Sequence, residues 1–372
     1  MKILIIDTYY LNFLKTIKRK HPEISHQDYH KQLKLLLSQR FGTSDFYSYN
    51  LKMLGHTAID AIINDEPLMR TWAKEHHFNI TESNFFSHLQ MRSYLHRFLG
   101  RPTWIQEITL AQIKDAKPDV VYLQDLSVLN PSTLIEIKKY CKLLVGQIAS
   151  PLPPFHQLTP FDLIISSFPH FVSKFQKVGI NSAYLPLAFD PRILKEIDTK
   201  NKLRKYDISF VGSFTYYHRS GTKTLETIAK HFPIHIWGQG LNIFSKESLT
   251  KNYHGQAWGV DMYSIFAQTK IVINRHIDVA KNYANNMRMY EATGMGALLV
   301  TDEKKNLHSL FRPGKEVITY KGTADLIDKL KYYLYHEKER IKIAEAGHKH
   351  TLLKHNYLNR MKELVGILNQ YL

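Results

Sequence analysis

KIVINRH at residues 270–276 and NNMRMYEATGMGALLVTDE at residues 285–303 decide the fold. IVIN is a short, β-branched apolar run with a polar end, so it reads as a buried strand. MRMYEATG reads as a helix, Gly294 and Gly296 turn the chain, and ALLV is a second buried strand. Two buried strands joined by a helix form the unit of a parallel sheet. The same alternation runs outward in both directions. YDISFVGSF, RSGTKTLETIAKHF, PIHIWGQG and MYSIFAQT precede it, and EVITY and ADLIDKLKYYLY follow.

A separate series lies upstream: KILII ending at Asp7, PDVVYLQD ending at Asp125, NPSTLIEIKKY, CKLLVGQIA, FDLIISS, FPHFVSKFQKVG and NSAYLPLAF. The Lys-rich connector DPRILKEIDTKNKLRK separates the two series. The expected fold class is therefore α/β, with two Rossmann-type domains, 1–187 and 188–372, facing each other across a ligand-binding cleft. The last helices are expected to cross back to the first domain. Near the start, Ser25 is read as the cap of a helix through HQDYHKQLKLLLSQR, and Gly55 as the stop of the next. Lys15, Lys18, Arg19 and Lys20 fall in a stretch that reads as loop, and residues 67–99 read as helical.

Composition narrows the function. At 372 residues the chain is long enough for two cores. Its single cysteine, Cys141, allows neither an internal disulfide nor a Cys-based zinc site. MKILIID is too short for a signal peptide, and no run is long enough to span a membrane, so the expected location is cytoplasmic. The formal net charge of +17 favours anionic partners. It is scattered, as on a solvated basic surface, and without the concentrated stripe a nucleic-acid binder would show. An anionic acceptor or the inner face of a membrane is the expected partner for the excess.

Two motifs carry chemistry. In FVGSFTYYHRSGTKTLETI, Gly212 lets the backbone approach a ligand, and the helix that follows offers free N–H groups to a phosphate. Arg219 and Lys223 add cations there; the alternative is an ordinary strand-to-helix turn with solvated basic residues. In NNMRMYEATG, Asn286, Arg288 and Glu291 cluster, and the i,i+3 spacing of Arg288 and Glu291 turns both to one side. The alternative is a surface ion pair. Asp7 and Asp125, at strand ends, are candidates for a general base or for loop caps. Tyr9, Tyr10 and the SPLPP turn are placed near the acceptor.

The run from KIVINRH through LHSLFRPGKEVITY resembles the C-terminal domain of GT-B glycosyltransferases, and within them the CgeB-like (spore-maturation-type) group. Asn274, Asn286, Arg288, Tyr290, Glu291, Gly294, Gly296, Gly314 and Glu316 carry the likeness. It implies a nucleoside-diphosphate sugar as donor and a hydroxyl acceptor. By that resemblance Glu291 holds the ribose, and Arg219, Lys223 and Arg288 lie near the diphosphate; a carboxylate facing the cleft supports ligand more than core, so losing Glu291 is expected to cost little stability. Gly238 in HIWGQGL lies near the base. The chain has no Asp-x-Asp, so no metal or other cofactor is expected. A nucleotide-sugar epimerase or hydrolase, or a non-catalytic nucleotide or polyanion binder, remain the alternatives.

Overall fold

Strand β1 (Lys2–Asp7) is buried from Ile3 to Ile6 with no polar residue among them. A strand buried on both faces belongs inside a parallel sheet with helices on either side. The computed structural model describes residues 1–81, 101–197, 204–214, 219–241 and 247–372, without the side chains of residues 219, 220, 247 and 248. In it β1 lies between β2 (Thr57–Ile62) and β3 (Val120–Leu123). The strands β4 (Leu143–Gln147), β5 (Leu163–Ser166) and β6 (Ser182–Tyr184) extend the sheet beyond β3. Every pair is parallel. The order β2-β1-β3-β4-β5-β6 reverses its winding between β1 and β3, which is where such a sheet opens a crevice at its carboxyl ends.

The helices of this unit are α1 (Leu11–Lys20), α2 (Tyr29–Ser38), α3 (Phe46–Met53), α4 (Glu66–Glu75), α5 (Thr103–Ala116), α6 (Pro131–Ile137) and α7 (Pro169–Lys177). Three depart from the sequence reading. The basic run Lys15–Lys20 is helical, because Phe13, Leu14 and Ile17 bury one stripe and leave Lys15, Arg19 and Lys20 outside, while the half-buried Lys18 pairs with Asp65. Helix α2 is capped by Asp28, whose carboxylate accepts from the Lys31 N–H at 2.8 Å, and not by Ser25, which sits in a 3-10 turn over Pro22–His26. Helix α5 had no counterpart in the reading. Of the stretch 67–99, α4 is a helix and residues 82–100 lie outside the described part.

A second sheet has the order β11-β10-β9-β7-β8, again all parallel. Its strands are β7 (Tyr206–Val211), β8 (Ile234–Trp237), β9 (Thr269–Asn274), β10 (Leu298–Asp302) and β11 (Ile318–Tyr320). The longer helices are α8 (Arg219–Ile228), α9 (Gly259–Ala267), α10 (Met287–Gly294), α11 (Thr323–Tyr335), α12 (Glu337–Lys354) and α13 (Tyr357–Leu368). Here the winding reverses between β7 and β9.

Pro186–Arg360 form this second compact unit. Met1–Leu185 form the first, together with Met361–Leu372, so the division falls two residues before the boundary read from the sequence. Small residues of the decisive stretch are set by packing. A Cβ at Gly294 would lie 2.5 Å from the Phe189 ring, and Gly296 turns the chain with φ +74°. Among the described residues no helix is long and apolar enough to cross a membrane.

Candidate functional site

The carboxyl end of β7 and the first turn of α10 are tied together at the reversal point of the second sheet. Arg288 Nε donates to the Val211 carbonyl at 2.9 Å, and the same guanidinium is ion-paired with Glu291. Glu291 is only 3% exposed and Arg288 29%. Glu291 also bonds the hydroxyl of Tyr263, on α9. Burial first, then the Glu291 charge, hold that phenol well above its ordinary pKa. The expectation that losing Glu291 costs little stability is therefore corrected: the carboxylate is enclosed and holds two partners.

Asn286 caps α10, its side-chain oxygen accepting from the Met289 N–H at 3.3 Å. Its amide donates to Asn274 Oδ1 at 2.9 Å and to the Arg275 carbonyl at 3.2 Å. Asn274 in turn donates to Thr301 Oγ1 at 2.9 Å. These amides fix the end of β9 against α10 and β10, so that Arg288 and Glu291 keep one orientation.

Gly212 and Gly238 also meet at these strand ends. Gly212 N–H donates to the Trp237 carbonyl at 3.0 Å. A Cβ at Gly238 would stand 1.7 Å from the Gly212 carbonyl oxygen. The absence of a side chain at Gly238 is thus required by the protein's own backbone. Lys223 is exposed on α8. Arg219 opens that helix, and its side chain lies outside the described part.

Asp7 and Asp125 come together in the first unit, at the reversal point between β1 and β3. Thr8 bridges them: its N–H donates to Asp7 Oδ1 at 2.7 Å and its hydroxyl to Asp125 Oδ2 at 2.9 Å. Asp125 is further engaged by the Ser127 N–H (2.9 Å) and hydroxyl (2.7 Å), the pattern of a loop cap. Asp7 accepts in addition only a long bond from Thr43, at 3.3 Å, among the described contacts. Burial pushes the Asp7 carboxyl from 3.8 up to about 7, against the Thr8 N–H bond, and the charge of Asp125 adds to the rise. A carboxyl that titrates near neutrality is suited to accept a proton. Beside it the buried hydroxyl of Tyr9 has no hydrogen-bond partner among the described residues.

Sequence reasoning missed Arg275, which follows Asn274 at the end of β9, and the His276–Asp302–Lys304 cluster next to it. His276 Nδ1 lies 2.6 Å and Lys304 Nζ 3.0 Å from the Asp302 carboxylate. Burial would raise Asp302, but the bonds and charges of His276 and Lys304 hold it down to about 2. The only signal in the sequence was the position of Arg275 at a strand end. Among the described residues no three His, Cys, Asp or Glu side chains gather as a metal site would need.

Residues 219–366 match the family model described as glycosyl transferase-like. No curated protein matches the chain in sequence. Similar solved structures include Anabaena Alr3699/HepE in complex with UDP-glucose, at 11% identity and TM-score 0.60 over 100% of both chains. Another is the sucrose-phosphate synthase of Thermosynechococcus elongatus, at 9% and 0.57, covering 100% of this chain and 98% of that one. A third is AviGT4, a glycosyltransferase involved in avilamycin A biosynthesis, at 13% and 0.55 over 90% of each. The chain thus has the fold of GT-B glycosyltransferases and carries a glycosyl transferase-like domain over residues 219–366.

Proposed function

We propose that the protein transfers a glycosyl group from a nucleoside-diphosphate sugar to a hydroxyl acceptor without a divalent metal, and that it belongs with the CgeB-like group. The observation that carries the reading is the Arg288–Glu291 pair. It is fastened to the end of β7 at the reversal point of the second sheet, inside the domain that matches the glycosyl transferase-like family. Open α/β sheets bind nucleotides at such points. Glu291 takes the ribose hydroxyls. Arg288, Lys223, Arg219 and the N–H groups at the start of α8 stabilise the charge that develops on the diphosphate as it leaves. Gly212, Gly238 and Asn286 set the strand ends against which the nucleotide rests.

Asp7 takes the proton of the acceptor hydroxyl, and Asp125 orders the loop beside it. Its buried carboxyl, raised to about 7, makes Asp7 the base, while Asp125 is engaged by Thr8 and Ser127. The acceptor is anionic or lies at a membrane surface. Helix α1 supports this, since it exposes Lys15, Arg19 and Lys20 together with Tyr10 and Leu11, three and four residues beyond Asp7.

The test is calorimetric titration of the purified chain with UDP, GDP, ADP, CMP and dTDP. UDP comes first because the HepE structure holds UDP-glucose. Saturable binding of one nucleoside diphosphate is expected. Binding of none of them sinks the donor reading.

A further inference from the structure

Thr43 has one hydroxyl proton and two acceptors within reach. Its Oγ1 lies 2.6 Å from Gln124 Oε1 and 3.3 Å from Asp7 Oδ2. Hydroxyl bonds cluster below about 3.0 Å, so the proton points at the amide and a lone pair points at the carboxyl. Backbone bonds hold these groups in place. Gln124 N–H donates to the Ile6 carbonyl at 2.9 Å, beside Asp7, and Phe46 N–H donates to the Thr43 carbonyl at 2.9 Å. Thr43 is buried, and a Cβ on Gly42 before it would touch both Asp7 Oδ2 and the Tyr9 ring, at 4.0 Å. The other end of the Gln124 amide is idle: Nε2 is buried and has no hydrogen-bond partner among the described residues.

A hydroxyl and an amide can each be used in two directions. With the Thr43 proton on Gln124 Oε1, the lone pair facing Asp7 accepts from a neutral carboxyl and offers nothing to an ionised one. A half-turn of the terminal amide, about a torsion that is roughly two-fold, brings Nε2 to Thr43 Oγ1 instead. Thr43 then gives its proton to Asp7, and the idle amide nitrogen gains a partner. Idle buried donors are uncommon in folded proteins, and this second arrangement gives one a use. The charges around Asp7 work in one direction only. Asp125, after β3, and Asp60, on β2, both oppose its ionisation, whereas the bonds from Thr8 and Thr43 favour it. Arg101 acts on Asp125 and donates to the Ser127 carbonyl at 3.0 Å, while Arg40 and Asp45, ahead of α3, act on Tyr9.

We propose that Thr43 and Gln124 are positioning residues for Asp7, which reverse the direction of a hydrogen-bond chain as Asp7 gains and loses the acceptor proton. The inference rests on the reading of Asp7 as the base. While Asp7 is ionised, Gln124 Nε2 donates to Thr43 and Thr43 donates to Asp7. The acceptor O–H bond then breaks, its electron pair forms the bond to the sugar, and the nucleoside diphosphate leaves with the pair of the bond it gives up. The proton passes to Asp7. Oδ1 is occupied by the Thr8 N–H, so Oδ2 carries the proton and donates to Thr43. Thr43 turns its own proton to Gln124 Oε1. No covalent bond of Thr43 or Gln124 changes; two torsions do. Asp7 returns the proton to water once the product has gone.

The test follows both ends of the chain of bonds by NMR across the neutral pH range, in the full chain with isotope-labelled Asp and Gln side chains. The Asp7 carboxyl signal is identified by its loss in Asp7→Asn, and the Gln124 amide signal by its loss in Gln124→Met. In wild type the Gln124 amide should titrate with the same midpoint as Asp7. In Thr43→Val the chain is cut: the Gln124 signal should become flat while Asp7 still titrates. Asp7 should then hold its proton about three- to tenfold more tightly, because a bond to an ionised group contributes more than one to a neutral group. Thr43→Ser keeps the hydroxyl and should restore both signals, and Thr43→Ala replaces the valine variant if that one does not fold. A Gln124 signal that is flat in wild type overturns the proposal, as does one that titrates equally without the Thr43 hydroxyl; in both cases a midpoint near 7 leaves Asp7 standing as the base. A wild-type Asp7 that titrates near the ordinary 3.8 overturns the base reading, and the proposal falls with it.

Discussion

Replacing Asp7 by Asn tests the base and the fold in one variant. The carboxyl titrates at about 7 in the folded chain against 3.8 ordinarily, with burial as the main cause. The sign follows from linkage. Below about pH 4 the group is neutral in both states, and folding is unaffected. Between about 4 and 7 the unfolded chain ionises and the folded one does not, so stability falls as pH rises. Above about 7 the loss is complete. Three units at about 1.4 kcal/mol each set a ceiling of roughly 4 kcal/mol. Asp7 keeps some access to water, which brings the expected loss to about 2 kcal/mol. The Asn oxygen still accepts the Thr8 N–H, so little else changes.

The variant should therefore match wild type at about pH 4 and exceed it by about 2 kcal/mol at about pH 8. Its turnover should drop by about 10²- to 10⁴-fold if Asp7 takes the acceptor proton. Wild-type turnover should rise with pH and level off above about 7. Urea unfolding at the two pH values and a pH–rate profile measure all three. Parallel stability profiles for the two proteins would refute the proton-holding role. A gain in stability with full activity would refute the catalytic one.

Glu291→Ala should weaken nucleotide-diphosphate binding by about ten- to several hundredfold, and cost about 1 to 3 kcal/mol because Arg288 and Tyr263 lose their partner. Glu291→Gln should be milder on both counts; calorimetry and melting separate them, and lost stability with unchanged affinity would make the pair purely structural. Affinity for the nucleoside diphosphate should be equal with EDTA and with magnesium, and binding seen only with magnesium would end the metal-independent reading. Gly347→Ala should destabilise by about 1 to 3 kcal/mol, since a Cβ there would lie 2.3 Å from the Glu316 carbonyl oxygen, and an unchanged melting temperature would contradict that packing. Anionic vesicles should bind the chain at low salt and release it as the screening length falls to about 8 Å. Changing Lys15, Arg19 and Lys20 to Gln should weaken that binding, and an unaltered salt curve would clear helix α1 of the role.

The strands were legible in the sequence because a parallel sheet buries both faces and writes itself as continuous apolar runs such as KILII and IVIN. The helices on the surface were less so. In α1 only Phe13, Leu14 and Ile17 face inward, and the lysines between them hide the period. At the start of α2, Ser25 and Asp28 are both capping residues, and Pro22 decided between them by starting a 3-10 turn first. At the site, the spacing of Arg288 and Glu291 was readable, but their burial was not. That depends on Val211, 77 residues away, and on Tyr263. Arg275 was illegible for the same reason: only the finished sheet lays it over Gly221.

The allocation of Met361–Leu372 to the first unit has a consequence for biosynthesis. Met361, Leu364 and Leu368 are wholly buried, so they are core residues of a unit whose other 185 residues leave the ribosome first. The whole of Pro186–Arg360 is translated in between. A nascent chain therefore carries an unfinished apolar surface for the time needed to make 175 residues, roughly ten to thirty seconds at ordinary elongation rates. Over that interval the N-terminal segment is a client for chaperones, and a ribosome that stalls late releases a chain whose first half cannot close.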